Sequence, residues 1–326
     1  MLNRNTMRMQ KIAIIALAAA ISVAACAGQS PKRAAAGGAS PAASPDEGQP
    51  QTALELPLPA VPQTLREPAD RADYIIEHFW DGMNFADTLR SHSDDFMEQN
   101  FSNFVSVFPY AREDARRRAV DRVMSAAQAD SAAYVKLADI AEKYLYDPNS
   151  PMLSEDLYIL FLEKLVDSPM LGDYGTLRYR YQMEAALKNR PGMTAADFAY
   201  ITRDGRSHML RSTPVRGQLL VIFYDPDCEH CKEIMAGLSG DPSISAAVAD
   251  GRLTVLALYA EGDRKLWEST VQMLPAEWTA GLVVSDIIES QRYVLRAMPT
   301  IYLMDADKRI ILKDAPAAMI AEMFAE

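Results

Sequence analysis

The sequence predicts an all-α region over 64–190 followed, over 193–326, by a mixed α/β sandwich with a central sheet. Three observations predict it. Apolar residues recur at helical spacing through the first region. Two continuous apolar runs, QLLVIFY (218–224) and LTVLALYA (253–260), have the β-branched and aromatic content of buried central strands. Around them amphipathic stretches alternate with shorter strand runs, so that strand–helix–strand is followed by helix, hairpin and helix.

Ahead of both regions the chain reads as an export leader. Arg4, Arg8 and Lys11 make a basic start, and the apolar run over 12–25 is too short to span a bilayer as a mature helix. It ends in Val23-Ala24-Ala25-Cys26, small residues before a cysteine, which resembles a bacterial lipoprotein signal. That resemblance implies a signal peptide over 1–25, lipid on Cys26, and a protein tethered in the cell envelope and facing the periplasm. Ala27 lacks the aspartate that retains some lipoproteins at the inner membrane, which favours the outer one. Over 26–63, Ala, Pro, Gly, Ser and Gln dominate without periodicity, predicting a disordered spacer between anchor and fold. The formal net charge is -11, and removing Arg4, Arg8 and Lys11 with a leader that has no acid makes it -14. A chain this acidic is a poor candidate for binding nucleic acid.

Within 64–190 five helices are expected. ADYIIEHFWDGM places Ile75, Phe79 and Met83 on one face, and ARRRAVDRVMSAAQ does the same for Val120, Val123 and Ala127. SAAYVKLADIAEKYLY aligns Tyr134, Leu137, Ala138, Ala141 and Leu145. Asn149-Ser150-Pro151 interrupts the pattern, after which Ser154 offers an N-cap with Glu155 and Asp156 as an acidic first turn. YGTLRYRYQMEAALKN makes a last helix, closed by Pro191-Gly192. No catalytic constellation is visible here. His78 and His92 lack metal-ligand companions, Trp80, Tyr174, Tyr179 and Tyr181 read as packing, and Arg116-Arg117-Arg118 as a solvated helix face.

From 193 the texture changes. Phe198, Tyr200 and Ile201 lead to the turn Arg203-Asp204-Gly205 and on to His208-Met209-Leu210, a hairpin signal. QLLVIFY is followed by a helix that starts with CKEIMAGLS. LTVLALYA precedes a polar helix containing Trp267, then GLVVS (281–285) is a short strand and ESQRYVLRA a helix. PTIYLMD and KRIILKD form a strand pair turning at Ala306-Asp307, and APAAMIAEMFAE closes the chain as an amphipathic helix.

With Cys26 assigned to the anchor, the fold holds two of the three cysteines, Cys228 and Cys231, in YDPDCEHCK. Cys228 falls where a buried strand hands over to a helix, and the free N–H groups at a helix start favour thiolate over thiol. Cys231, one turn on, can close a disulfide and release a partner. Protonated His230 would favour a thiolate, whereas Asp225, Asp227 and Glu229 would oppose it. The pair can therefore act as reductant or oxidant.

A buried strand, a C-x-x-C at a helix start, and Met298-Pro299-Thr300 just before a late strand together resemble the thioredoxin fold, over about 193–326. With the lipoprotein signal, the closer resemblance is to its membrane-anchored TlpA/ResA-like branch. The helical region is similar to a domain of unknown function that precedes such domains in Bacteroidetes lipoproteins. The resemblance implies a thiol–disulfide oxidoreductase, with Cys228 as nucleophile, Cys231 as resolving thiol, and Met298 and Pro299 facing the disulfide and the substrate chain. It implies protein dithiol or disulfide substrates, a membrane or periplasmic redox partner, and no cofactor beyond a redox-active Cys228–Cys231 disulfide. Three positions depart from the family pattern: Asp227 replaces the aromatic residue before the first cysteine, Ile222 the buried acid of the preceding strand, and Ile234 a glutamate three residues after the second cysteine. Glu233, about 100° away around a helix, Asp225 and water are the alternative proton acceptors.

Two other readings compete. A zinc site needs four ligands, and here His208 and His230 would have to complete the cysteine pair; no metal is expected. A non-enzymatic lipoprotein could use the α/β domain as a binding scaffold, since fold alone confers no activity. A scaffold, however, needs neither the C-x-x-C nor Met298-Pro299.

Overall fold

The computed structural model describes residues 55–325. The expected signal peptide over 1–25, Cys26 and most of the spacer lie outside the described residues. The spacer expected to reach 63 stops earlier, because Leu56 is buried in the helical core and its N–H donates to Asn100 Oδ1 at 2.7 Å. One leucine in a proline-rich stretch, with a buried side-chain acceptor for its backbone, is enough to fasten extended chain to the core.

Among the described residues the first region holds α1 (Pro68–His78), α2 (Thr88–Ser91), α3 (Asp94–Ser106), α4 (Glu113–Ala127), α5 (Ser131–Leu145), α6 (Glu155–Leu165) and α7 (Gly172–Ala186). Seven helices thus replace the five expected. The longer addition, α3, is capped by Ser93, whose Oγ accepts the Phe96 N–H, and it buries Phe96, Met97, Phe101, Phe104 and Val105. Its signal was an ordinary cap followed by two acids and a helical apolar face. α1 stops at His78 and turns Ile76 inward, leaving Ile75 half-buried, so the face expected from Ile75 is displaced by one residue. α6 starts as anticipated, with Ser154 Oγ accepting the Leu157 N–H. Phe79, Trp80, Phe104, Phe108, Phe101 and Phe161 form the aromatic centre of this core. Of the tyrosines expected to pack, Tyr179 is buried, but Tyr174 and Tyr181 face solvent at 90% and 51% exposure. Nor is the Arg116–Arg118 face simply solvated: Arg117 pairs with Glu163 of α6 and Arg118 with Glu77 of α1.

The second region contains β1 (Ala199–Thr202), β2 (Ser207–Met209), β3 (Gln218–Tyr224), α8 (Glu229–Gly240), α9 (Pro242–Ala249), β4 (Leu253–Tyr259), α10 (Arg264–Thr270), β5 (Thr279–Val283), β6 (Thr300–Met304), β7 (Ile310–Lys313) and α11 (Ala317–Phe324). The strands form one sheet in the order β2-β1-β5-β4-β3-β6-β7. β3 lies at its heart, parallel to β4 and antiparallel to β6, with Ile222 opposite Ala257 and Ile301. The two-residue period of β3 splits the core. Leu220, Ile222 and Tyr224 join Cys231, Met235 and Phe324 on one side, while Leu219, Val221 and Phe223 join Phe198, Tyr293 and Tyr302 on the other. The continuous apolar run needed both faces covered, and both are.

One expected helix is absent. ESQRYVLRA makes a turn and then a loop. Asp286 Oδ1 accepts the N–H groups of Glu289 and Ser290, but Gln291 adopts a left-handed φ of 52°, which ends the turn. Tyr293 is then buried, its hydroxyl donating to the Ala196 carbonyl at 2.7 Å. Tertiary contacts override the local pattern. No helix among the described residues is long and apolar enough to cross a membrane.

Candidate functional site

The C-terminal end of β3 opens beside the chain that enters β6, because the two strands are antiparallel neighbours. Asp225, Pro226 and Asp227 make the turn between β3 and α8. Asp225 Oδ1 accepts the Asp227 N–H at 2.8 Å, and the Asp225 carbonyl accepts the Cys228 N–H at 3.2 Å. Cys228 is the N-cap of α8, its sulfur accepting the Cys231 N–H at 3.2 Å. Facing it, the Met298–Pro299 peptide is cis, and the Met298 carbonyl oxygen lies 3.8 Å from Cys228 Sγ, placed to accept a weak S–H bond. Thr300 Oγ1 donates to the Ala297 carbonyl at 2.6 Å and ties this segment off where β6 begins.

The two free thiols have different surroundings. Cys228 is half-buried, whereas Cys231 is fully buried with Ile222 and Met235. Burial pushes the Cys231 thiol up to about 12; hydrogen bonding from the Asp225 backbone opposes this, while Cys228 and the Asp225 charge add to it. Cys231 therefore keeps its proton at neutral pH.

The residues expected to tune the thiolate are spread around the helix start. Glu229 Oε1 accepts from Lys232 Nζ at 2.6 Å, and His230 Nδ1 stands 3.8 Å from Glu233 Oε2, with both of those side chains mostly exposed. Asp227 is exposed, its backbone engaged by Asp225. Lys232 went unnoticed in the sequence although it sits four residues after Cys228 on one helix face. Its ammonium is held above the ordinary range by Glu229, with Asp227 and Cys228 adding to the effect. Of the two acids considered for the Cys231 proton, Glu233 is 79% exposed beside His230, whereas Asp225 is half-buried and its charge helps to raise the Cys231 thiol. His208 stacks on Tyr200 in the β1–β2 hairpin rather than joining the cysteines.

A crystal structure of a thioredoxin-like protein from Bacteroides caccae is 33% identical, covers 82% of this chain and 97% of that one, and superposes with a TM-score of 0.77. The chain belongs to the thioredoxin-like family. A family model described as a domain of unknown function, DUF5106, matches residues 29–189 of this thioredoxin-like protein, a span that includes all seven of its helices over 68–186. Two shorter structures from Bacteroides fragilis, the C-terminal domain of an uncharacterized protein and a conserved protein of unknown function, are 32% and 35% identical. Each covers 42% of this chain and 99% of its own, with TM-scores of 0.41 and 0.40. No curated protein matches the chain.

Proposed function

We propose that this thioredoxin-like protein is an extracytoplasmic, lipid-anchored thiol–disulfide oxidoreductase that exchanges disulfides with partner proteins. The observation that carries the reading is the Cys228 sulfur, half-buried between the Cys231 N–H and the Met298 carbonyl, with Cys231 buried behind it. The Cys228 thiolate attacks one sulfur of a substrate disulfide, that S–S bond breaks, and the departing substrate thiolate takes up a proton. Cys231 then gives up its proton, attacks Cys228 Sγ and expels the second substrate thiolate. Two electrons pass from the protein dithiol to the substrate, and the reverse sequence oxidises a substrate dithiol. With Ile222 unable to take a proton, half-buried Asp225 is the acceptor for that of Cys231. Met298 and Pro299 shape the groove for the substrate chain, and no cofactor beyond the Cys228–Cys231 disulfide is required. Lipid on Cys26 would hold the domain at the outer membrane, on its periplasmic side, within reach of a redox partner.

The test is covalent trapping. Cys231→Ala should accumulate mixed disulfides with partner proteins on Cys228, and Cys228→Ala should abolish them. Adducts that persist without Cys228, or a wild-type protein that exchanges with no dithiol or disulfide, would replace this reading with the binding scaffold. The reduction potential then fixes direction: near about -270 mV the protein reduces its partners, and near about -120 mV it oxidises them.

A further inference from the structure

One side chain links the helical region to the thiol site. Arg296 stands two residues before Met298, in the stretch that forms a loop instead of the expected helix. Its guanidinium donates to the Tyr146 carbonyl and, at 3.0 Å, to Glu155 Oε1, both in the helical region. It lies 3.9 Å from the centre of the Tyr146 ring and also donates to Asp314 Oδ2 at 2.9 Å. Lys313 completes the group, with Nζ 2.6 Å from Glu155 Oε2 and 2.9 Å from the Lys188 carbonyl. Two cations thus meet two anions, with side-chain exposures of 7% for Lys313, 12% for Glu155, 13% for Arg296 and 16% for Asp314.

Such a cluster is better suited to fixing an arrangement than to adding stability, because desolvation offsets most of the attraction. Glu155 illustrates this: burial holds its carboxyl above the ordinary range despite Lys313 and Arg296. Asp314 reaches the group from a left-handed backbone at φ 51°, a conformation that non-glycine residues adopt when their surroundings hold them there. Attachment of the two regions does not depend on Arg296. Asn189 already bridges them, its Nδ2 donating to the Arg292 carbonyl and its Oδ1 accepting the Ala196 N–H. The connecting chain also pairs with β7 through Gly192, Met193 and Ile310.

We propose that the helical region sets the thiol site through this clamp. Tyr146 and Glu155 hold Arg296, and Arg296 fixes the segment 296–298 that presents the Met298 carbonyl to Cys228 and its backbone to an incoming substrate chain. Arg296 is a positioning residue, and this role rests on the oxidoreductase reading.

The test uses the full chain and two disulfides: a peptide disulfide, which needs the segment's backbone, and hydroxyethyl disulfide, which has no chain to dock. Arg296→Met is expected to raise KM for the peptide about tenfold while leaving turnover of the small disulfide within about twofold of wild type. Should that variant not fold, Glu155→Gln, changed from the helical side, carries the same comparison. Equal losses on both substrates, or no change on either, would overturn the clamp. If wild-type protein exchanges with neither, the oxidoreductase reading fails, and hydrogen exchange of the Ala297 and Met298 amides decides the clamp alone. Faster exchange there in the variant supports it, and unchanged exchange overturns it.

Discussion

The sulfur of Cys228 lies 3.8 Å from the carbonyl oxygen of Met298, a residue 70 positions further along the chain. This contact places one thiol at the opening between α8 and the segment before β6, while Cys231 is buried behind it. Reagent access should divide the same way. Iodoacetamide at pH 8 is expected to label Cys228 in native, reduced protein and to leave Cys231 unlabelled until urea unfolds the chain. Peptide mapping by mass spectrometry reads this directly, and rapid native labelling of Cys231 would contradict the burial.

Cys231 also links stability to pH. Its thiol is raised by burial from 9.0 to about 12, so the folded chain keeps a proton that the unfolded chain loses. The stabilising contribution is complete below pH 9 and declines as pH rises towards 12. Urea unfolding of reduced wild type against Cys231→Ala, at pH 8 and pH 10.5, should show the wild-type advantage shrinking at the higher pH. An advantage that grows would reverse the sign.

In the proposed exchange, resolution of the mixed disulfide requires Cys231 to lose its proton, and half-buried Asp225 is the acid proposed to accept it. Asp225→Asn keeps an oxygen to accept the Asp227 N–H but removes the base. Release of a partner from Cys228 should slow on the order of a hundredfold, with the first attack far less affected. Stopped-flow traces that separate the two steps provide the measurement; equal rates of release would move the proton path to water.

Leu56 and Asn100 define where the folded unit begins. Leu56→Ala should cost about 2–3 kcal/mol through the cavity it leaves, and Asn100→Ala about 1–3 kcal/mol by stranding the buried Leu56 N–H. Chemical denaturation measures both, and neutral effects would return Leu56 to the spacer.

The thiol pair and its setting were legible because each depends on neighbours in sequence. Six consecutive apolar residues, Leu219 to Tyr224, with β-branched and aromatic side chains at their centre and end, read as a strand covered on both faces, and Cys228 after it becomes the cap of the next helix. Ser154 declared its helix by the same local chemistry. Tyr146, Glu155 and Arg296 could not be read in this way. Their sequence carries no periodic signal for a guanidinium that crosses 141 residues to Glu155 and 150 to Tyr146. The stretch ESQRYVLRA even carried the wrong signal, since its helical spacing yielded to the burial of Tyr293 and the capture of Arg296.

By itself, then, the sequence determined the strand-to-helix position of Cys228 and the division into helical and α/β regions, whereas only the resemblance to the thioredoxin fold placed Met298-Pro299 opposite that cysteine. Backbone propensity and apolar period act over a few residues, and that position and that division need nothing more. Only the tertiary structure left Glu233 exposed beside His230 and Asp225 half-buried. It alone brought the helical region, through Arg296, to within two residues of the Met298 carbonyl. Burial and charge pairing between distant segments set both, and these exist only once the core has closed.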